Sequence, residues 1–189
     1  MKSILLLLGL FAYVFGNVVL EPTQDTYANI VAQDGLCAYR GSEPAMFSGK
    51  SGFGNIISTA YVLFDLTGVS SVPSAIFNLT AGCNSQGNVV GNQHTLDRVA
   101  IGWTESTLSG TSIAGLSGCP NLPSVITSNV VTGTVSASGV LSASVTSAVS
   151  AALSSGAVAL SIRYINSGST NFCVRTTSPS SSRPKLIIG

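Results

Sequence analysis

Apolar side chains recur at every second position along much of this chain, and a period of two commits a polypeptide to strands with one apolar face. In S-T-A-Y-V-L-F-D-L, Ser58 to Leu66, the residues Val62, Phe64 and Leu66 share a side. In A-I-F-N-L-T-A, the residues Ala75, Phe77, Leu79 and Ala81 do the same. A Gly/Ser/Pro-rich turn separates the two runs. The same rule predicts strands over Thr26–Ala32, Thr95–Trp103, Asn129–Val135, Ala157–Ile165, Phe172–Arg175 and Lys185–Ile188. Val99, Ile101 and Trp103 are in phase in one of these, and Val158, Leu160, Ile162 and Tyr164 in another. Only V-T-S-A-V-S-A-A-L departs: Val145, Ala148, Val149, Ala152 and Leu153 follow the stripe of a short helix packed on a core. Its Ser/Ala/Gly-rich surroundings therefore belong inside the domain. Short strands, polar turns and one helix imply an all-β fold, an antiparallel jelly-roll-like β-sandwich. A chain of 189 residues suits one such domain.

The first residues bear on destination. M-K-S-I-L-L-L-L-G-L-F-A-Y-V-F-G carries one lysine, an apolar run too short for a membrane span, and a small residue at its end. It reads as a signal peptide over 1–16, leaving 17–189 as the domain, secreted and without a membrane span. Without Lys2, seven basic side chains face seven acidic ones. A neutral chain lacks the basic stripe that nucleic acid demands and the polybasic patch of a membrane-surface binder. Charged residues make up only 8% of the chain, against about 25% in an average protein. Solubility then rests on hydroxyls, amides or attached sugar. Asn78-Leu79-Thr80 is a glycosylation sequon, and its phase puts Asn78 opposite the apolar face, making Asn78 the expected acceptor.

The four cysteines, Cys37, Cys83, Cys119 and Cys173, include no C-x-x-C pair, and a single histidine gives no zinc pattern. In a secreted chain an even count predicts two disulfides. Three pairings are open; the working assignment joins Cys37 to Cys173 and Cys83 to Cys119.

Catalytic groups are sparse. His94, in G-N-Q-H-T, has no G-x-S-x-G elbow to serve and is expected to be a solvated turn residue. Asp97 and Glu105 invite comparison with a glycosidase pair, but their spacing does not enforce that geometry; Glu105 is expected to accept backbone N–H groups at a strand end. Asp25, Asp34 and Asp65 form no D-x-D-x-D calcium loop. No enzyme activity, metal or cofactor is expected. Trp103 is expected as a core anchor. Arg98, Arg163 and Arg175 are out of phase with the apolar faces of their strands. They are expected to point outward and, with Tyr61, to form a ligand patch suited to an acidic glycan.

Several blocks carry a resemblance. Asp25-Thr26-Tyr27, Y-V-L-F-D-L-T at Tyr61–Thr67, V-P-S-A-I-F-N-L after it, W-T-E-S-T-L at Trp103–Leu108, V-T-S-A-V at Val145–Val149 and R-P-K-L at Arg183–Leu186 follow in order. The chain resembles the DNRLRE family, secreted β-sandwich domains related to a carbohydrate-binding module class, from about Glu21 to Ile188. It departs from the family at Leu108-Ser109-Gly110, where a second aromatic is usual, and at Thr176, where Glu usually follows Arg. The resemblance implies a non-catalytic extracellular domain. Two functional expectations follow. One is a structural or interaction protein that meets matrix components or its own copies, with the segment Asn17–Glu21 adding as a strand to a neighbour's sheet edge. The other is a monomeric module that binds an extracellular polysaccharide.

Overall fold

The computed structural model describes residues 16–31, 36–40, 45–50, 56–82, 89–113, 122–165, 168–174 and 178–189, with 31, 36–40, 50, 109–113, 168, 169 and 171 described by backbone alone. All of the expected leader but Gly16 lies outside these ranges. The described chain is mostly strand, arranged in two antiparallel sheets.

The smaller sheet runs in the order β1 (Val18–Leu20), β13 (Lys185–Ile188), β6 (Ala75–Thr80) and β10 (Val140–Ser144). The larger runs β8 (Ser109–Ile113), β3 (Leu36–Arg40), β2 (Gln24–Val31), β5 (Ile56–Asp65), β11 (Ala157–Tyr164), β7 (Gln93–Val99) and β9 (Val125–Thr134). Beside it, β12 (Gly168–Cys173) pairs with β4 (Ala45–Lys50), which joins β5 at Gly49↔Ser58 and Lys50↔Ile57.

Alternation explains what lies between the sheets. Val62 and Phe64 of β5, Leu96 of β7, and Val158, Leu160 and Ile162 of β11 point inward and are almost fully buried. Ala75, Phe77 and Leu79 of β6, with Leu141 and Leu186, meet them from the other sheet. Phe64 and Phe77 touch edge to face across the interlayer, ring centres 6.0 Å apart. Each such side chain stabilises the fold by about 1.5–3 kcal/mol through burial. One end of the interlayer is closed by α1 (Thr146–Ala152), which buries Ala148, Val149 and Ala152, and by the 3-10 turn Leu153–Ser155. The expected helical stripe is the buried one.

The two sheets are also stitched by backbone. Val135 bridges Leu141 where β9 passes into β10, and Ala81 bridges Phe172 where β6 meets β12. These contacts join sheet to sheet and shorten the exposed edges.

A second apolar layer lies on the outward face of the larger sheet. Ala28, Tyr61, Val99 and Ala159 meet Trp103 and Leu108 there. The residues after β7 therefore leave the sheet and fold back over it. The strand expected over Thr95–Trp103 ends at Val99. Ile101 is 38% exposed, and Trp103 is a buried anchor of the outer layer rather than of the interlayer. Beyond the expected strands the structure adds β1, β3, β4, β8 and β10. The expected strand Asn129–Val135 starts four residues earlier, at Val125, and that over Phe172–Arg175 is the end of β12.

Cys173 is fully buried at the end of β12, and no described cysteine is a free thiol. Cys83 and Cys119 lie outside the described residues, and Cys37 is described by backbone alone.

Candidate functional site

A polar cleft lies where the larger sheet forks. Along one side of β5, β11 is the partner from Asp65 to Thr59, and β4 takes over at Ser58. β11 and β4 must diverge around that step, and the gap between them is a cleft of about 200 Å3. Its walls are Gly49, Ile57, Ser58, Thr59, Arg163, Tyr164 and Ile165. Ile57 and Ile165 are 43% and 48% exposed and form an apolar rim. Arg163 and Tyr164, on opposite faces of β11, lie beside it.

A triad of strands holds Arg163. Its Nε and Nη2 donate to Asp97 Oδ2 and Oδ1 at 2.5 and 3.1 Å, and Nη2 also reaches Asn129 Oδ1 at 3.4 Å. Asp97 is fully buried, although its partner's side chain is 46% exposed. Asp97 also accepts from Asn129 N–H at 2.7 Å and from the Ser161 hydroxyl at 3.2 Å. Burial alone pushes its carboxyl up. Arg163, Asn129 and Ser161 outweigh that and hold it below the ordinary carboxylate range. In return, its hydrogen bonds to Asp97 raise the Arg163 guanidinium above its ordinary range.

The same carboxylate shapes β9. Asn129 adopts a left-handed backbone, φ 52°, at an irregularity in the β7–β9 pairing. Asparagine tolerates that conformation better than most residues. The Asp97 oxygen takes the N–H that the irregularity turns away from the ladder.

Beneath the fork lies a polar network. His94 is fully buried within β7, with Ser48 Oγ 3.2 Å from Nδ1 and Thr170 Oγ1 3.1 Å from Nε2. Asn92 links Thr170 to the Tyr164 hydroxyl, at 2.8 and 3.1 Å. The rings of Tyr164 and Phe172 pack edge-on against the imidazole. His94 was expected in a solvated turn; the structure corrects this, because β7 begins at Gln93 and inward alternation puts His94 in phase with Leu96. Burial lowers its pKa to about 4, so it is neutral at ordinary pH. Ser48 and Thr170 are fully buried too. The cluster ties β4 and β12 to β7 and offers no exposed nucleophile.

Glu105 does what its position suggested. Its Oε1 accepts Asp25 N–H at 3.1 Å, and its own N–H donates to Gln24 Oε1 at 2.8 Å. This pair pins the folded-back segment onto β2, over Tyr61. Asp97 sits on β7, three strand spacings from β2, or about 14 Å. The carboxyls of a glycosidase lie about 5–9.5 Å apart. Among the described residues no three His, Cys, Asp or Glu side chains converge.

The expected ligand patch is not assembled as a unit. Arg163 lines the fork cleft, on the face of β11 that carries Ala159 and Ser161. Arg98 pairs with Leu160 and shares the inward face of Leu96, so Arg98 and Arg163 lie on opposite faces of the sheet. The expectation that Arg98 points outward is corrected: its phase follows Leu96, not Val99. Tyr61 is 5% exposed, its ring 6.1 Å from Trp103, and offers no open stacking face. Arg175 lies outside the described residues. Asn78 stands on the outward face of the smaller sheet, between Lys185 and Ser142, half-buried with its Oδ1 enclosed.

No family model matches this chain, and no curated protein matches it.

Proposed function

We propose that this chain is a secreted, non-catalytic extracellular protein that acts through assembly, with copies of itself or with matrix components. The observation that carries this reading is β1. Three residues long, it holds the β13 edge through Val18↔Ile188, Val19↔Ile187 and Leu20↔Leu186, while Val18 and Val19 remain 45% and 53% exposed. Pro22 follows almost at once. So short an edge strand loses little by leaving its own sheet, and the same three pairings made in trans link one copy to the next. A nearly uncharged surface adds little repulsion between neighbours.

Other features fit a secreted life. Asn78 faces outward as a glycan acceptor, and Cys173, buried and not a free thiol, fits a framework of two bridges, Cys37–Cys173 and Cys83–Cys119. The spatial orders β1-β13-β6-β10 and β5-β11-β7-β9 support a jelly-roll reading of the sandwich, and a β-sandwich is what the DNRLRE resemblance implies.

Deleting residues 17–21 from the secreted chain tests the assembly reading by light scattering and electron microscopy. The full chain is expected to form polymers and the deletion to stay dispersed while keeping its far-ultraviolet spectrum. Equal association of the two would overturn the strand-exchange mechanism.

The fork cleft favours a second reading, a polysaccharide-binding module. At about 200 Å3 it has room for part of a sugar, and its wall residues include Ser58, Thr59, Tyr164 and the half-exposed Arg163. Because Asp97 already neutralises Arg163, neutral hydroxyls suit it better than a carboxylate. A glycan array without any bound sugar would end this reading.

A further inference from the structure

A second cleft opens at the helical end of the sandwich, on the opposite face of the sheet from Arg163. Its volume is about 90 Å3. Arg98 is its only charged wall residue, with Ile101, Ile126, Ala152 and Val158 among its apolar neighbours and Ser155 at its edge. Arg98 Nε is buried and has no hydrogen-bond partner. No ion pair involves Arg98 among the described residues, and the adjacent Asp97 points to the other face, where Arg163 occupies it.

A half-buried guanidinium without a counter-charge is costly in apolar surroundings, and proteins seldom leave one so. The surface around it is open. Ile101 and Ile126 are 38% and 54% exposed, and so are not consumed by the core. A cation at the bottom of an apolar slot is complementary to an anion on a short apolar stem. Volume limits the choice: the space equals about three waters, enough for a carboxylate and about one or two further carbons, and too small for a whole sugar ring.

We propose that this cleft binds a short aliphatic carboxylate, paired with the Arg98 guanidinium and packed between Ile101 and Ile126. The pairing sets a counter-charge against the Arg98 guanidinium and gains strength from the low local dielectric. The site is independent of β1 and of the fork cleft.

Sodium propionate is the probe, with 1-propanol as the neutral control of similar size, added to the full secreted chain while the Arg98 Nε–H resonance is followed by NMR. Propionate is expected to shift that resonance saturably and propanol to leave it in place. Arg98→Met should leave the neighbouring backbone amides unresponsive to propionate. Ala151→Leu, on the exposed side of α1 at the cleft wall, keeps Arg98 and should weaken binding at least about tenfold by filling the slot. A linear, unsaturated response, an equal response to propanol, or unchanged affinity in Ala151→Leu would each overturn the assignment.

Discussion

At the scale of single residues, His94 shows how burial turns a polar side chain into a pH-sensitive part of the core. Its ring is enclosed by Ser48, Thr170, Tyr164 and Phe172. The native imidazole resists protonation until about pH 4, whereas the unfolded one protonates near its ordinary 6.5. Stability from this group is therefore complete above pH 6.5 and drains away as pH falls toward 4. Across that window the loss is about 3 kcal/mol, at about 1.36 kcal/mol per pH unit. Urea midpoints compared at pH 7 and at the acid end of the window check it. The decline is expected in the native chain and should be largely absent in His94→Asn, which starts from a lower stability at neutral pH.

At the scale of elements, Asp97 binds three strands together. It sits on β7, takes Arg163 and Ser161 of β11, and captures Asn129 N–H of β9. Removing one partner does not equal removing the other. Asp97→Asn keeps an oxygen for Asn129 and discards the buried charge; Arg163→Met keeps the charge and discards its counter-ion. Arg163→Met should therefore be the more damaging, at about 2–3 kcal/mol. Denaturant unfolding of both variants reads the order, and the reverse order would mean that the carboxylate is hydrated. Asn129 completes the device: the left-handed turn that frees its N–H is tolerable to few other side chains.

At the scale of the whole molecule, closure decides stability. The sheets pack face to face and also exchange backbone contacts, at Val135↔Leu141 and Ala81↔Phe172. Near the first seam, Gly133 of β9 lies directly against Leu141 of β10. A Cβ there would sit 2.6 Å from Leu141 Cδ1, and Leu141 is fully buried. Gly133→Ala is expected to cost about 1–3 kcal/mol by overpacking. Combined with Leu141→Ala, it should cost clearly less than the two single losses added together, because the truncated side chain makes room. Thermal unfolding of the three variants tests this, and simple additivity would mean that the seam is loose.

Much of the fold was legible because alternation is local. A residue two positions from Phe64 faces the same side whatever the rest of the chain does, so Phe64, Phe77, Leu160 and the stripe of α1 could be placed from the sequence. β10 was harder: V-L-S-A-S alternates, but with small and polar residues that bury little. β3 and β4 are short and bounded by turn-like residues. Arg98 and Ile101 were misplaced for one reason, since counting phase from Val99 instead of Leu96 reverses the faces at the point where the chain leaves the sheet. The partners of His94 lie 46 and 76 residues away, and those of Asp97 32, 64 and 66 away. Nothing in the local pattern names such partners. The sequence by itself determined which faces would be dry, because side-chain direction along a strand is set by backbone geometry. Only the tertiary structure decided which polar groups meet, leaving Arg163 with a carboxylate and Arg98 without one, because strand order brings together residues that the chain keeps apart.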